Sequence, residues 1–372
     1  MTISLASLGG GGSGNSYYSV TALGEYNVNL AAGLYDVRSN GPVVVGGVAV
    51  NGNAGLVNYP SGIDSFVASV LPFENFVRRL SKFGNANVNS IIFDNGLFVA
   101  GGQGGSLITS LDGITWDLQA LGFETSDING LAYGGGLFVA VGGSGKIATS
   151  PDGIDWTLRA SSFAGGWIFG LAYGDGLFVA GGSSGKIATS PDGITWTSRT
   201  SGFGSVQIRS IAFANGLFVA GGASGTLTTS NDGITWTNQI SGFGTSTISN
   251  IIFGDGLFVA VGSPAMLYTS PNGIDWTART SGFGGSAING VGYANGVYLA
   301  VGSSGILTTS TDAINWDLRD GGVGFTSLSC ITFGNGLYVL GGSAGALVTS
   351  AGTLPPNTGL SLELKTPVIS LP

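Results

Sequence analysis

A ring of seven four-stranded β blades, an all-β propeller, is the fold this sequence predicts, and three observations predict it. One phrase repeats seven times at a period of 40 residues without insertion, placing Ile91, Leu131, Leu171, Ile211, Ile251, Val291 and Ile331 at equivalent positions. Each complete copy holds four short apolar runs, none long enough for an ordinary helix, which is the pattern of a four-stranded blade. The seventh copy stops at Ser350 before its fourth run, and a matching run stands ahead of the first copy.

The elements follow in chain order. Residues 1–15 are rich in Gly and Ser and read as a flexible arm; residues 16–72 change character and read as a small all-β module, with YYSVTAL, EYNVNLAAGLYDVRS and PVVVGGVAV as candidate strands. The propeller is expected over 73–352. Residues 353–372 form a C-terminal tail, with GLSLELKTPVIS as a candidate strand docking on the N-terminal module.

Within the third copy, IFGLAY, GLFVAGG, GKIATS and WTSRTS each have strand length. GDG here, and DNG, GGG, ANG or GNG elsewhere, join the first two runs and suit tight hairpins, because Gly and Asn tolerate positive φ. Runs that are apolar throughout fit sheets covered on both faces, as when each blade lies between two others.

Between strands three and four stands the most specific motif: SLDGITW, SPDGIDW, SPDGITW, SNDGITW, SPNGIDW and STDAINW. Asp112, Asp152, Asp192, Asp232, Asn272 and Asp312 are expected to bond the backbone of their own turns. Trp116, Trp156, Trp196, Trp236, Trp276 and Trp316 are expected to plug the hairpins. The motif resembles the Asp-box of sialidases, sortilin-type receptors and related propellers, shortened by one residue between Asp and Trp. That resemblance implies a structural box lying away from any catalytic centre. One carboxylate per turn is far short of the six or so oxygens a calcium ion takes, so no metal is expected.

Aligning FVRRLSKFG on WTSRTSGFG puts Phe76 on Trp196, Arg79 on Arg199 and Phe83 on Phe203, so this N-terminal strand is expected to complete the last blade and leave no open edge. Closure gives two unlike faces. The Ser-Asp-Gly-Trp turns, Phe76 and Ser350 share one; the divergent loops LGFETSD, SSFAGGW, SGFGSVQ, SGFGTST, SGFGGSA and GGVGFTS share the other. An attachment face opposite a variable one suits a binding device.

Composition narrows the function. Only 9% of residues are charged, the net charge is −8, and apart from the Arg78–Arg79 pair Lys and Arg are scattered, which argues against nucleic acid, anionic lipid or a polyanionic ligand. The start MTISLASLGGGG lacks an export signal, no run is long enough for membrane insertion, and the lone Cys330 sits in an apolar strand as a small core residue. Synthesis in a cytosol is expected.

There is no histidine, which removes the commonest general base and zinc ligand. A sialidase-like site would need several arginines converging on a carboxylate. Here Arg79, Arg159, Arg199, Arg279 and Arg319 recur in register on the outermost strand, as packing residues or edge charges would. No catalytic residue and no cofactor is expected. Departures from the repeat on the variable face are the candidate ligand-binding residues: Gln103, Glu124, Asp127, Trp167, Gln207, Arg209, Met266 and Phe325. Trp167 stands out because no other copy has an aromatic there, and it either anchors a ligand or fills the central channel together with Phe169.

YGDGLFVAGGSSGKIATSPDGITWTSRTSGFG and its six siblings are similar to propeller repeats of bacteriophage and prophage tail proteins, over about three quarters of the chain. The resemblance implies a non-enzymatic tail-fibre or tail-tip protein of the virion. Its N-terminal module would dock on other tail proteins, its propeller would bind a host-surface glycan or protein, and it would act as a homo-oligomer. A bacterial adhesin or assembly scaffold, and then a sialidase-like hydrolase, are the alternatives.

Overall fold

A computed structural model describes residues 76–320 and 326–350 and, as backbone, eight strands between residues 3 and 68. The chain forms two units, and Asn75–Pro356 is the propeller. In the other, Tyr17–Val20, Ile3–Ser7, Gly33–Ser39 and Asn53–Tyr59 lie in that order in one antiparallel sheet. Gly24–Leu30 pairs with Ile63–Ala68, and Val43–Val45 with Val48–Val50. The strand Ile3–Ser7 thus falls inside the stretch read as a flexible arm. The tail expected to add a strand, and Phe325, lie outside the described residues.

The propeller has seven antiparallel four-stranded blades. The third, Ile168–Gly174, Leu177–Gly182, Ile187–Ser190 and Thr197–Arg199, represents them all. Its first hairpin turns at Asp175 and Gly176, both at positive φ (48° and 74°), the pairing that matches strand twist in a two-residue turn. The seventh blade takes its outer strand from the start of the ring: Phe76–Arg78 pairs with Leu347–Ser350, Ser350 facing Phe76 and Val348 facing Arg78. The expected closure is therefore present, and Phe76 and Phe83 are both buried.

The core lies between blades. Val88, Phe98 and Trp116 of the first blade pack with Val339 and Leu347 of the seventh, and the same arrangement recurs around the ring. Near the end of their first strands Phe93, Tyr173, Phe213 and Tyr293 each press on a glycine of the preceding blade where a side chain would not fit: a Cβ on Gly334 would sit 2.1 Å from Cγ of Phe93. Close packing of this kind fixes the blade-to-blade angle and therefore the width of the central channel.

Candidate binding face at the channel mouth

The turns on the opposite face use up their own polar groups. In the first blade Asp112 Oδ1 accepts from Ser110 Oγ, from the Ile114 N–H at 2.8 Å and from the Thr115 N–H at 2.7 Å, while Trp116 Nε1 donates to the Gly113 carbonyl at 3.1 Å. Asp152, Asp192, Asp232 and Asp312 repeat this pattern, and Asn272 reproduces it through its amide oxygen. The donated N–H groups of Thr195 and Ile194 hold Asp192 down at about 2, and those of Thr235 and Ile234 do the same for Asp232.

The recurring arginines are also engaged. Nε of Arg159, Arg199, Arg279 and Arg319 donates to the Thr of the adjacent third strand, Thr149, Thr189, Thr269 and Thr309, at 2.8–3.0 Å. In the first and fourth blades Gln119 and Gln239 make the same bond to Thr109 and Thr229. These side chains brace the outer strand of each blade, and they do not converge on the channel. Cys330 packs against the core between the first and seventh blades, and burial pushes its thiol up to about 12.

At the variable face each turn between strands two and three is tied to the start of the same blade's first strand. The Gln103 N–H donates to Asn87 O at 2.9 Å, that of Gly143 to Asp127 O at 2.8 Å, that of Ser183 to Trp167 O at 2.8 Å and that of Ala223 to Gln207 O at 2.9 Å. Side chains at this rim level can also clip neighbouring blades together. Asp127 Oδ1 accepts the Gly104 N–H of the first blade at 2.9 Å, and Asn87 Oδ1 accepts the Ala344 N–H of the seventh at 3.2 Å.

Trp167 occupies the same rim level in the third blade and has no acceptor to offer, so that clip is absent there. Its ring is 44% exposed and lies 6.1 Å from that of Phe169, tilted by 32°. Phe169 lines the channel, whereas Trp167 is not among the residues of its wall. Ser183 Oγ accepts the Trp167 N–H at 3.1 Å, which fixes the backbone beneath the exposed ring.

The other candidates separate into groups. Arg209 lines the channel, is exposed, and makes no hydrogen bond or ion pair with another described residue. Gln207 is half-buried at the rim above it. Asp127 reaches the channel but spends one carboxylate oxygen on the inter-blade clip. Glu124 pairs with Lys146 at 3.1 Å on the surface, a contact worth little in water. Gln103 is exposed, its side-chain oxygen 3.4 Å from the Asn87 N–H. Met266 pairs with Gly262 and packs partly buried against the core between the fourth and fifth blades.

Sequence reasoning missed the channel wall. Asn89, Asn129 and Asn289, at one level of the first strands, donate their Nδ2 to Ile128, Ile168 and Leu328 carbonyls of the following blades at 2.9–3.1 Å. The signal was the recurrence of Asn one residue into the first strand. The channel they line has a volume of about 500 Å³.

No protein-family model matches the chain, and no curated protein does. Among solved structures, the inactive variant of virginiamycin B lyase from Staphylococcus aureus with quinupristin aligns with a TM-score of 0.68 at 9% identity, over 74% of this chain and 98% of that one. YCF48 bound to D1 peptide aligns at 0.60 and 17%, over 74% and 96%. The WD40 propeller domain of Doa1 aligns at 0.58 and 15%, over 74% and 97%. At such identities these likenesses establish the propeller fold alone. Among the described residues no helix is long and apolar enough to cross a membrane.

Proposed function

We propose that this chain is a non-enzymatic binding propeller of a phage tail fibre or tail tip, attaching to a host-surface glycan or protein through the rim around Trp167. The single observation that carries the reading is the exposed Trp167 at the channel mouth, stacked near Phe169 and held from below by Ser183. A rigid indole beside polar groups is the kind of anchor on which glycan and protein recognition concentrates. The repeated polar residues are meanwhile committed to the scaffold: the turn aspartates to backbone N–H groups, the outer-strand arginines to threonines.

The virion assignment rests on the similarity of the repeats to tail-protein propellers. In this reading the N-terminal unit docks on other tail proteins and several copies act together, so that weak single contacts sum to firm attachment. Neither nucleic acid nor membrane insertion enters it. Absence of histidine from the sequence supports a role without catalysis.

The test is attachment of the purified chain to host cells and to a glycan array, comparing wild type with Trp167→Ala. Attachment should fall at least about tenfold, the weight of a hot-spot aromatic, while Tm stays near that of wild type. Undiminished attachment by the variant would reject the rim as the binding surface, and release of a sugar product would reject the non-enzymatic reading.

A further inference from the structure

The channel mouth is lopsided. At the level of the Asn residues, the seven first strands present Asn89, Asn129, Phe169, Arg209, Ser249, Asn289 and Ser329 in turn. One rim level above, Trp167 and Gln207 stand over Phe169 and Arg209, while Thr247, Ala287 and Ser327 stand over the small side. The third and fourth blades therefore supply an aromatic wall and a cation side by side, and the fifth to seventh leave room opposite them.

Three features of this wall specify a ligand. Arg209 is a permanently charged fork without a partner among the described residues, and it is the single cation among the described residues of the channel wall. The amides of Asn89, Asn129 and Asn289 are oriented by one N–H donated to the following blade, and each Oδ1 is an acceptor for a hydroxyl. Phe169 offers a flat apolar face. One anionic group, several hydroxyl donors and one apolar ring face, in a space of about 500 Å³, together describe a single sugar ring bearing a carboxylate. That volume falls in the ~300–1,000 Å³ range of small-ligand pockets.

We propose that the channel mouth is a binding pocket for a terminal carboxylated sugar, with Arg209 holding the carboxylate, Phe169 and Trp167 the ring face, and the Asn amide oxygens the hydroxyls. This rests on the glycan-binding form of the function proposed above. A single acidic group is what the site accepts: Asp127 on the same wall and a net charge of −8 oppose a polyanion.

The experiment titrates the full-length protein with glucuronic acid, glucose and acetate by calorimetry, and repeats the glucuronic acid titration on Arg209→Gln and Arg209→Lys, with Tm measured for each. Glucuronic acid should bind, glucose and acetate should bind at least tenfold more weakly, Arg209→Gln should lose at least tenfold and Arg209→Lys should fall between. Equal binding of glucose, equal binding of acetate, no binding of glucuronic acid, or binding that survives Arg209→Gln would each overturn the pocket. Host attachment that needs Trp167 but ignores Arg209 overturns the pocket and leaves the rim reading standing; glucuronic acid binding without any host attachment does the reverse.

Discussion

Arg79 donates its Nε hydrogen to Thr349 Oγ1 at 2.8 Å, joining the outer strand of the last blade to its neighbour across 270 residues of chain. The bond is the seventh member of the series that Arg159, Arg199, Arg279 and Arg319 make within continuous blades, with Gln completing the other two. A strand borrowed from the far end of the domain is thus held by the same contacts as its continuous counterparts. Ser81 Oγ adds a bond to Gly345 O at 2.7 Å, matching those from Ser201 and Ser241 to Gly185 and Gly225.

Removing residues 76–84 should therefore abolish cooperative unfolding, since it exposes the edge of Leu347–Ser350 and uncovers the core beneath Phe76 and Phe83. The complementary variant is Arg78→Cys with Val348→Cys, whose positions face one another in the antiparallel pair and which leaves the Arg79–Thr349 bond in place. Its disulfide should raise Tm, because closing a loop this long restricts the unfolded chain by about 4 kcal/mol or more. Calorimetry under oxidising and reducing conditions measures the difference. A truncation that melts like the intact protein would show that the ring closes by other means.

Much of this was legible in the sequence because a repeat reports its own register. The 40-residue period gave the blades, the shortfall at Ser350 pointed to Phe76, and the Ser-Asp-Gly-Trp phrase gave the turn that Asp112 and Trp116 build. What stayed hidden were contacts that a period cannot express. Asp127 looked like a free acid on a variable loop, yet its partner is the Gly104 N–H of the preceding blade, visible only once the ring is assembled. Met266 looked like a departure on the variable face, but pairing with Gly262 turns it toward the core. Asn89, Asn129 and Asn289 passed as ordinary strand residues because the carbonyls that orient them belong to the next blade.

Acid should weaken the ring in a defined window. Backbone N–H donors hold Asp192 and Asp232 at about 2, below the ordinary carboxylate value near 4, and the same donors lower Asp112 and Asp152. A carboxylate whose folded value is depressed stabilises the fold fully above its unfolded value, and that contribution is lost as pH falls from about 4 toward 2. Tm should therefore drop across this interval. Asp192→Asn, which copies the natural Asn272 turn, should lower Tm at pH 7 but converge on wild type at pH 2; a constant offset between the two curves would show that the charge is irrelevant.

Gly182 is needed for space. Its backbone is extended (φ −158°), a conformation any residue adopts, but a Cβ there would lie 2.1 Å from the Trp167 carbonyl oxygen. The obstacle is backbone, so no rotamer relieves it. Gly182→Ala should cost about 1–3 kcal/mol, the usual penalty for overpacking, read as a lower denaturation midpoint. Because the shifted backbone carries Trp167, host attachment should fall further than the stability loss explains.

The rim offers a trade between stability and binding. Asp127 and Asn87 each clip a neighbouring blade by accepting a backbone N–H, and Trp167 occupies the equivalent place without doing so. Trp167→Asp should add a clip to the Ser144 N–H, as Asp127 makes to Gly104, and raise stability by about 1 kcal/mol, the typical worth of one hydrogen bond, while removing the exposed indole. A higher Tm combined with lost attachment would indicate that the indole at this position serves attachment rather than stability, a trade common at functional sites. If Trp167→Asp instead lowers Tm, the indole is packing against Phe169 chiefly to hold the rim together.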